Sequence, residues 1–307
     1  LVINAAKSGY TIDFSFAAES PYGTKSVTSD AFDVTHAALD KFVFGPLGNQ
    51  TAGVDFNLAI TAQDEFGNTA TAFDGTANLT INKNTFASGG GTTGNFVDGV
   101  LASHAVSIDA AATGYQITAT SGAITGKSDL FDVSPAAAVS LTLSGPSTVV
   151  AGETSSAFTL TVKDAFGNTA PVNTDTTFTL TTSEEAGTAT FTPASLELAN
   201  GASSGTFTYR NTKVGAGSHV LTASFASGDA GLTGDTAEAT ITVTPAAAAK
   251  VFIVTEPSST AQAGAEFDQQ PVVRLLDQYD NNVLQSGVLV SAAIASGDPE
   301  LLGTTPV

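Results

Sequence analysis

Cysteine and methionine are both missing from these 307 residues, and positive charge is scarce. Without cysteine there is no disulfide, no thiolate metal site and no thiol nucleophile. Domains without disulfides must each bury enough apolar area to stand alone. Without methionine the sequence does not open on a start codon, so it is expected to be a processed product or a window of something longer. Lys and Arg number 10 against 29 Asp and Glu, a formal charge of −19. Such a field repels phosphate backbones, so no nucleic-acid partner is expected. It also disfavours anionic membrane surfaces. It suits a solvated surface, or one that collects cations. No stretch reads as a signal peptide, and no apolar run approaches the roughly twenty residues of a membrane-spanning helix, so no membrane insertion is expected in this segment.

Ala, Thr, Ser, Gly and Val dominate what is present, and only 13% of residues are charged. That is a poor recipe for long surface helices and a good one for strands and turns. The 19 Phe residues, with many Val, Leu and Ile, can fill several small cores, so disorder is not the default.

The chain repeats itself. "DEFGNTA" at 64–70 returns as "DAFGNTA" at 164–170 and, more weakly, as "DQYDNNV" at 277–283, at intervals of 100 and 113 residues. "SPAAAVSLTLSGPSTVVAGE" (134–153) matches "TPAAAAKVFIVTEPSSTAQAGAE" (244–266), and "THAALDKFVFGPLGNQTAGVD" (35–55) matches both more loosely. Each holds a Pro or His before alanines, a short apolar strand, a further Pro (Pro46, Pro146, Pro257), an Ala-Gly pair, and then the strand that ends in the turn motif. Late segments repeat too: "AAATGYQITATSG" (110–122) matches "AAKSGYTIDFSFA" (5–17). The expected units are therefore 1–35, the last strands of one domain; 36–134 and 135–244, two whole domains; and 245–307, the first part of another.

Within a unit, strand signals follow one another with turn punctuation. Phe158, Leu160 and Val162 alternate with Thr and Lys, the period of a half-buried strand, and Phe56, Leu58 and Ile60 repeat the pattern. No segment carries a sustained 3.6-residue apolar stripe. About a hundred residues with about seven short strands and no helix predict an all-β fold of tandem immunoglobulin-like β-sandwiches. The repeated Pro is expected in the first strand at a sheet edge, where its missing N–H costs little. The "PAAA" joints are very short linkers and predict semi-rigid beads end to end.

The stretches "AGETSSAFTLTVKDAFGNTAPVNTDTTFTLTT" and "GTATFTPASLELANGASSGTFTYRNTKVGAGSHVLTASFA" resemble the bacterial immunoglobulin-like repeats of surface proteins, the invasin/intimin type among them. The resemblance covers essentially the whole chain in tandem. It implies parts of adhesin stalks, S-layer proteins or extracellular fibres, and so a secreted or cell-surface location. The ligand-reading tips of that family have no counterpart in this sequence.

Chemistry is sparse. Asp164 shares strand parity with Phe158, Leu160 and Val162, so it starts toward the core end. The reading preferred for it is an Asx-type turn in which the carboxylate accepts backbone N–H groups, Gly167 takes a positive φ and Phe166 covers the end of the core. The competing reading is a calcium ligand. "DQYDNN", with Asp277 and Asp280, is the better cation candidate, and calcium is the one ion left open. His36, His104 and His219 fall at different unit positions without ligand spacing, so no zinc site is expected. No nucleophile elbow appears. Glu184 and Glu185 are adjacent and diverge, which does not support glycosidase chemistry. "SGGGTTG" (88–94) reads as a flexible hairpin, not a phosphate cradle. Asn49 and Asn78 fit the glycosylation tripeptide.

No catalytic, cofactor-binding or metal residues are assigned, and no enzyme is expected. The expectation is a non-enzymatic repeat array of an extracellular scaffold: a fibre, an S-layer or a similar surface assembly. Its partners would be copies of itself or neighbouring repeats, with a surface polysaccharide or a host-cell partner as further options. The alternative is the stalk of an adhesin whose binding region lies outside this window. Residues 1–35 supply late strands and residues 245–307 early ones, so two copies placed head to tail could complete one sandwich between them. The chain is thus either a window cut from a long array or a subunit that polymerises through a split domain, and heterologous contacts of that kind do not close on themselves.

Overall fold

The structure, a computed structural model, describes residues 1–16, 23–184 and 188–293. Its described part is all strand and turn apart from one three-residue 3-10 turn, Ala230–Leu232. No helix among the described residues is long and apolar enough to cross a membrane. The chain divides into two compact units. The first is Leu1–Val139 with Lys163–Pro171; the second is Ser140–Val162 with the described residues from Val172 onward.

In the first unit, Phe56–Gln63 is the central strand of an antiparallel sheet, flanked by Lys41–Phe44 and Val100–Val106. Its alternation works as the sequence implies: Phe56, Leu58, Ile60 and Ala62 are buried, and Asn57 and Ala59 are exposed. Across the core runs a four-stranded sheet in the order Ile124–Lys127, Ile117–Ser121, Asn78–Ile81 and Gly91–Thr92. Ile117, Ala119 and Leu79 face the same interior. Phe42, Phe73 and Phe96 form a cluster with ring centroids 5.1–5.5 Å apart at one end. Phe56, Phe131 and Tyr115 form a second, each neighbouring pair at 5.8 Å. Edge-to-face and offset geometries of this kind add to the area term.

The second unit carries the same plan. One sheet runs Ser140–Ser144, Phe158–Lys163, Ser204–Asn211, Ala189–Thr192; the other runs Thr148–Val150, Thr236–Thr244, His219–Ser227, Thr176–Thr182, Ser195–Leu198. Phe158, Leu160 and Val162 are fully buried, as are Tyr209, Leu221 and Ile241, and Phe207 beside Phe158 is buried too. Two packed, mainly antiparallel sheets with alternating inner faces define the sandwich, with Thr148–Val150 joining Thr236–Thr244 in parallel. Tyr115 Oη donates to Ala110 O, and Tyr10 Oη donates to Ala5 O. This is the tyrosine corner of immunoglobulin-like domains. The fold is therefore all-β, of tandem immunoglobulin-like sandwiches.

The repeated proline is not inside the first strand. Pro46 follows Lys41–Phe44 and precedes Gln50–Thr51; Pro146 follows Ser140–Ser144 and precedes Thr148–Val150. The two halves join different sheets. Lys41–Phe44 pairs antiparallel with Phe56–Gln63, whereas Gln50–Thr51 pairs in parallel with Phe131–Ser134. Proline stands where the chain crosses over, because a residue without N–H fits a break between ladders better than a place in one. The glycine-rich 88–94 stretch also differs from the flexible hairpin expected of it. Gly91–Thr92 pairs with Asn78–Leu79, Ser88 bridges to Ser107, and their hydroxyls meet at 2.7 Å.

Two smaller strand sets stand outside these sandwiches. In the first unit, Lys7–Tyr10 pairs with Phe32–Val34 and Asp13–Phe16 with Lys25–Thr28. In the second unit, Lys250–Thr255 pairs with Val272–Leu276. Residues 294–307 of the expected fourth unit lie outside the described residues.

Phe158 packs face to face on Phe207 with centroids 5.4 Å apart. Phe158→Ala is expected to cost about 3–5 kcal/mol in urea unfolding followed by circular dichroism. Thr159→Ala, whose side chain points away from that face, should shift the same transition by about 0.5 kcal/mol or less.

Candidate functional site

Each copy of the turn motif begins where an alternating strand delivers an aspartate to the core end. Asp64, Asp164 and Asp277 are 0%, 2% and 0% exposed. A buried carboxylate must be saturated with donors. Asp164 Oδ1 accepts from the backbone N–H of Phe166 (2.9 Å) and Asn168 (2.8 Å). Its Oδ2 accepts from the N–H of Ala136 (2.9 Å) and from Asn168 Nδ2 (2.8 Å). Asp64 has the same four donors in Phe66, Asn68, Ala37 and Asn68 Nδ2, at 2.8–3.0 Å. Asp277 has them in Tyr279, Asn281, Ala246 and Asn281 Nδ2, at 2.8–3.0 Å. The alanine in each set is the residue after the His or Pro of the linker, so one carboxylate ties the turn to the segment that enters the repeat.

Burial alone would raise the pKa of such a group. For Asp64 the Asn68 side chain and the N–H groups of Ala37, Asn68 and Phe66 outweigh it and hold the pKa at about 2. Burial opposes ionisation of Asp164 and Asp277 as well, and Asn168 and Asn281 with the matching backbone donors hold both below the ordinary carboxylate value.

The asparagine has a second task. Asn168 Nδ2 also donates to Asp109 O (2.7 Å), and its Oδ1 accepts from Ala111 N–H (2.9 Å). Asn68 makes the same pair with Asn4 O and Ala6 N–H at 2.8 and 2.9 Å. Asn281 makes it with Thr212 O and Val214 N–H at 2.8 and 3.0 Å. The side-chain amide thus imitates one rung of a β-ladder to the loop that closes the preceding repeat. The turn is a joint between three pieces of chain.

The aromatic of the motif belongs to the joint and not to its own core. Phe166 is 45% exposed and lies over Gly53, where any β-carbon would overlap the ring. The Tyr279 ring covers Gly152 in the same way. The Ala-Gly pair of one repeat is therefore the seat for the aromatic of the next copy of the turn. This replaces the expectation that Phe166 caps the core of its own repeat. Gly67 and Gly167 take φ of 88° and 82°, and Asp280 takes the same left-handed place at 66°. Asp is among the few residues with a side chain that tolerate it.

The cation reading does not fit this donor set. Both oxygens of Asp277 are filled by N–H donors, and Asp280 faces Lys250, with Oδ1 2.7 Å from Nζ. The two carboxylates serve different partners. No group of three or more His, Asp or Glu side chains gathers among the described residues.

The histidines lie apart. His36 Nδ1 contacts Ala37 O and its Nε2 accepts from Ala72 N–H; His104 Nε2 meets Gly89 O. His219 is fully buried beside Tyr209. Glu184 sits 3.9 Å from His219 Nε2, and Glu185 lies outside the described residues. Asn49 Oδ1 accepts from Asp132 N–H, and Asn78 stands in a strand between Thr92 and Thr120.

No protein-family model matches the chain, and no curated protein matches it. Among solved structures the chain is similar to FdeC, a broadly conserved Escherichia coli adhesin, with a TM-score of 0.42 and 18% identity over 83% of this chain and 79% of that one. It is similar to the D00–D0 domain of intimin, with a TM-score of 0.32 and 17% identity over 66% of this chain and 98% of that one. It is also similar to the S-layer protein rSbsC(31–844), with a TM-score of 0.30 and 15% identity over 94% of this chain and 42% of that one.

Two outcomes test the joint. Asn168→Ala strands Asp109 O and Ala111 N–H and takes one of the two donors from Asp164 Oδ2, and is expected to cost about 1–3 kcal/mol in thermal or urea unfolding. The acid limb follows from the depressed aspartates. Their folded pKa lies below the unfolded value of about 3.9, so their stabilisation is complete above that pH and drains away as pH falls below it, for Asp64 toward about 2. Asp64→Asn should lower stability at neutral pH and flatten that acid limb, read as midpoint against pH.

Proposed function

We propose that this chain is a non-enzymatic structural repeat array of an extracellular or cell-surface scaffold, and that its work is to carry load through jointed immunoglobulin-like repeats. One observation carries the reading. Three copies of the turn, far apart in sequence, make the same four-donor carboxylate and the same asparagine rung to the preceding loop. A catalytic centre has no reason to be built three times in this way, whereas an array that resists extension needs each junction held. The surface location follows the resemblance of these repeats to bacterial surface modules. The acidic surface, with 29 Asp and Glu against 10 Lys and Arg, keeps such an array solvated.

The finer part of the proposal is self-association. Phe14, Phe16 and Val27 are 59%, 62% and 66% exposed on one hairpin, and Phe14 aligns with Ala119, which is buried in the complete repeat. Val251, Ile253 and Val273 are 58%, 46% and 38% exposed on the other, aligned with buried Phe42 and Ile60. The two faces correspond to opposite sheets of one sandwich, and copies of the chain are proposed to bring them together.

Single-molecule extension of the 307-residue chain tests the load-bearing role. Separate events, each releasing about a hundred residues or roughly 330–360 Å of contour, are expected, with Asn168→Ala lowering the force of one of them. A smooth extension without resolved events would overturn it. Sedimentation at rising concentration tests association: oligomers in the parent chain and a monomer in Phe16→Asp support it, and a monomer throughout removes it.

A further inference from the structure

The third joint differs from the others in what stands behind the loop it grips. In the first two copies a tyrosine corner backs the loop, through Tyr10 to Ala5 O and Tyr115 to Ala110 O. In the second unit that place is taken by His219, fully buried. Gly215 N–H donates to His219 Nε2 at 3.2 Å, so Nε2 carries the lone pair. The proton is then on Nδ1, which donates to Tyr209 Oη at 2.8 Å; Tyr209 Oη also accepts from Asn211 Nδ2 at 2.8 Å. The loop between is short. Thr212 O and Val214 N–H are the two groups that Asn281 holds, and Lys213 Nζ donates to Tyr279 O at 3.3 Å. Residues 212–215 are thus gripped by Asn281 on one side and by the neutral imidazole on the other.

We propose that His219 makes this joint acid-releasable: a proton taken up at Nε2 turns Gly215 N–H and the ring into two opposed donors, and the 212–215 loop moves off Asn281. Glu184, 3.9 Å from Nε2, is the acceptor that the new N–H turns to. A residue with a side chain at 215 would overlap Glu184, so the glycine keeps the carboxylate within reach of the ring. The other charged groups on the packed elements point elsewhere. Arg210 Nε donates to Gly152 O, Glu238 meets Thr222 Oγ1 at 3.5 Å, and Asp280 pairs with Lys250. The strand across from His219 presents Ile241. Burial holds the imidazole neutral and outweighs the pull of Glu184 in the other direction. A folded-state pKa below that of the unfolded chain means full stability above about pH 6.5 and a loss as pH falls below it. The loops at 4–6 and 109–111 are backed by the phenols of Tyr10 and Tyr115 and not by an imidazole, and His36 of the first joint lies on its linker side, against Ala37 O and Ala72 N–H, so the response of the gripped loop belongs to the third.

Amide hydrogen exchange on the full chain at about pH 7.5 and about pH 5, corrected for intrinsic rates, reads this directly. Val214 and Gly215 are expected to lose about tenfold in protection at the lower pH, while Ala6 and Ala111 keep theirs. His219→Gln should abolish the difference. Equal losses at all four amides, or none, would overturn the proposal. Where the variant does not fold, ring titration by NMR in the parent chain decides, since there are only three histidines. A His219 that titrates at or above the free-imidazole value refutes it. This outcome is independent of the extension and sedimentation tests.

Discussion

An ionised carboxylate removed from water must find its hydration shell in the protein, and here it finds four N–H groups drawn from three places in the chain. Two come from the turn itself, one from the linker and one from the asparagine four residues on. Satisfying Asp164 therefore fixes the strand end, the linker path and the rotamer of Asn168 in a single step. Asn168 can then offer its remaining donor and acceptor to the 109–111 loop in only one orientation. A linker of a few alanines has no side chains with which to hold itself. Its conformation is set by the buried charge beside it.

The joints are polar and small, which suits an alanine- and glycine-rich chain. A hydrophobic interface would need large side chains at the linker, and these would be exposed in any repeat without a neighbour. Hydrogen bonds to backbone work with any residue at 109, 111, 212 or 214, which frees those loops to vary: Asn, Asp and Thr supply the acceptor, and Ala and Val the donor. The aromatic over Gly53 or Gly152 adds a van der Waals contact that depends on a missing β-carbon and little else.

Much of this was legible from residue order. Strand parity alone placed Asp164 inward, and the period of the motif set the strand-to-turn register. The rest needed contacts that no local pattern encodes. The proline reads as part of a strand because it sits between two apolar runs, but those runs join different sheets, and only pairing shows the break. Phe166 reads as part of its own core because alternation says nothing about which repeat owns the nearest surface. The asparagine reads as a turn residue because Asn is common in turns for its own backbone preferences. A signal did exist. Asn281 persists in the third copy although the glycine before it has become Asp280 and the phenylalanine has become Tyr279. A residue needed only for a turn would be the first to drift; one that holds two partners would be the last.

The same comparison shows where the copies have been allowed to diverge. Asp280 keeps the left-handed backbone that glycine supplied and acquires Lys250 as a counter-ion, so the substitution is absorbed on the surface. Replacement of the corner tyrosine by His219 is absorbed differently. Tyrosine fixes its loop through one hydroxyl bond to a carbonyl, a bond indifferent to pH until the phenol itself ionises. Histidine fixes its loop through a lone pair, and a lone pair can be occupied. The buried aspartates hold their charge far into acid because every donor around them favours the ionised form. The buried imidazole holds its neutrality because burial and the Gly215 N–H favour the uncharged one. One array thus contains two kinds of buried titratable group, both shifted downward. For the carboxylates the shift makes the joints tolerant of mild acid, and for the imidazole it makes one joint responsive to it.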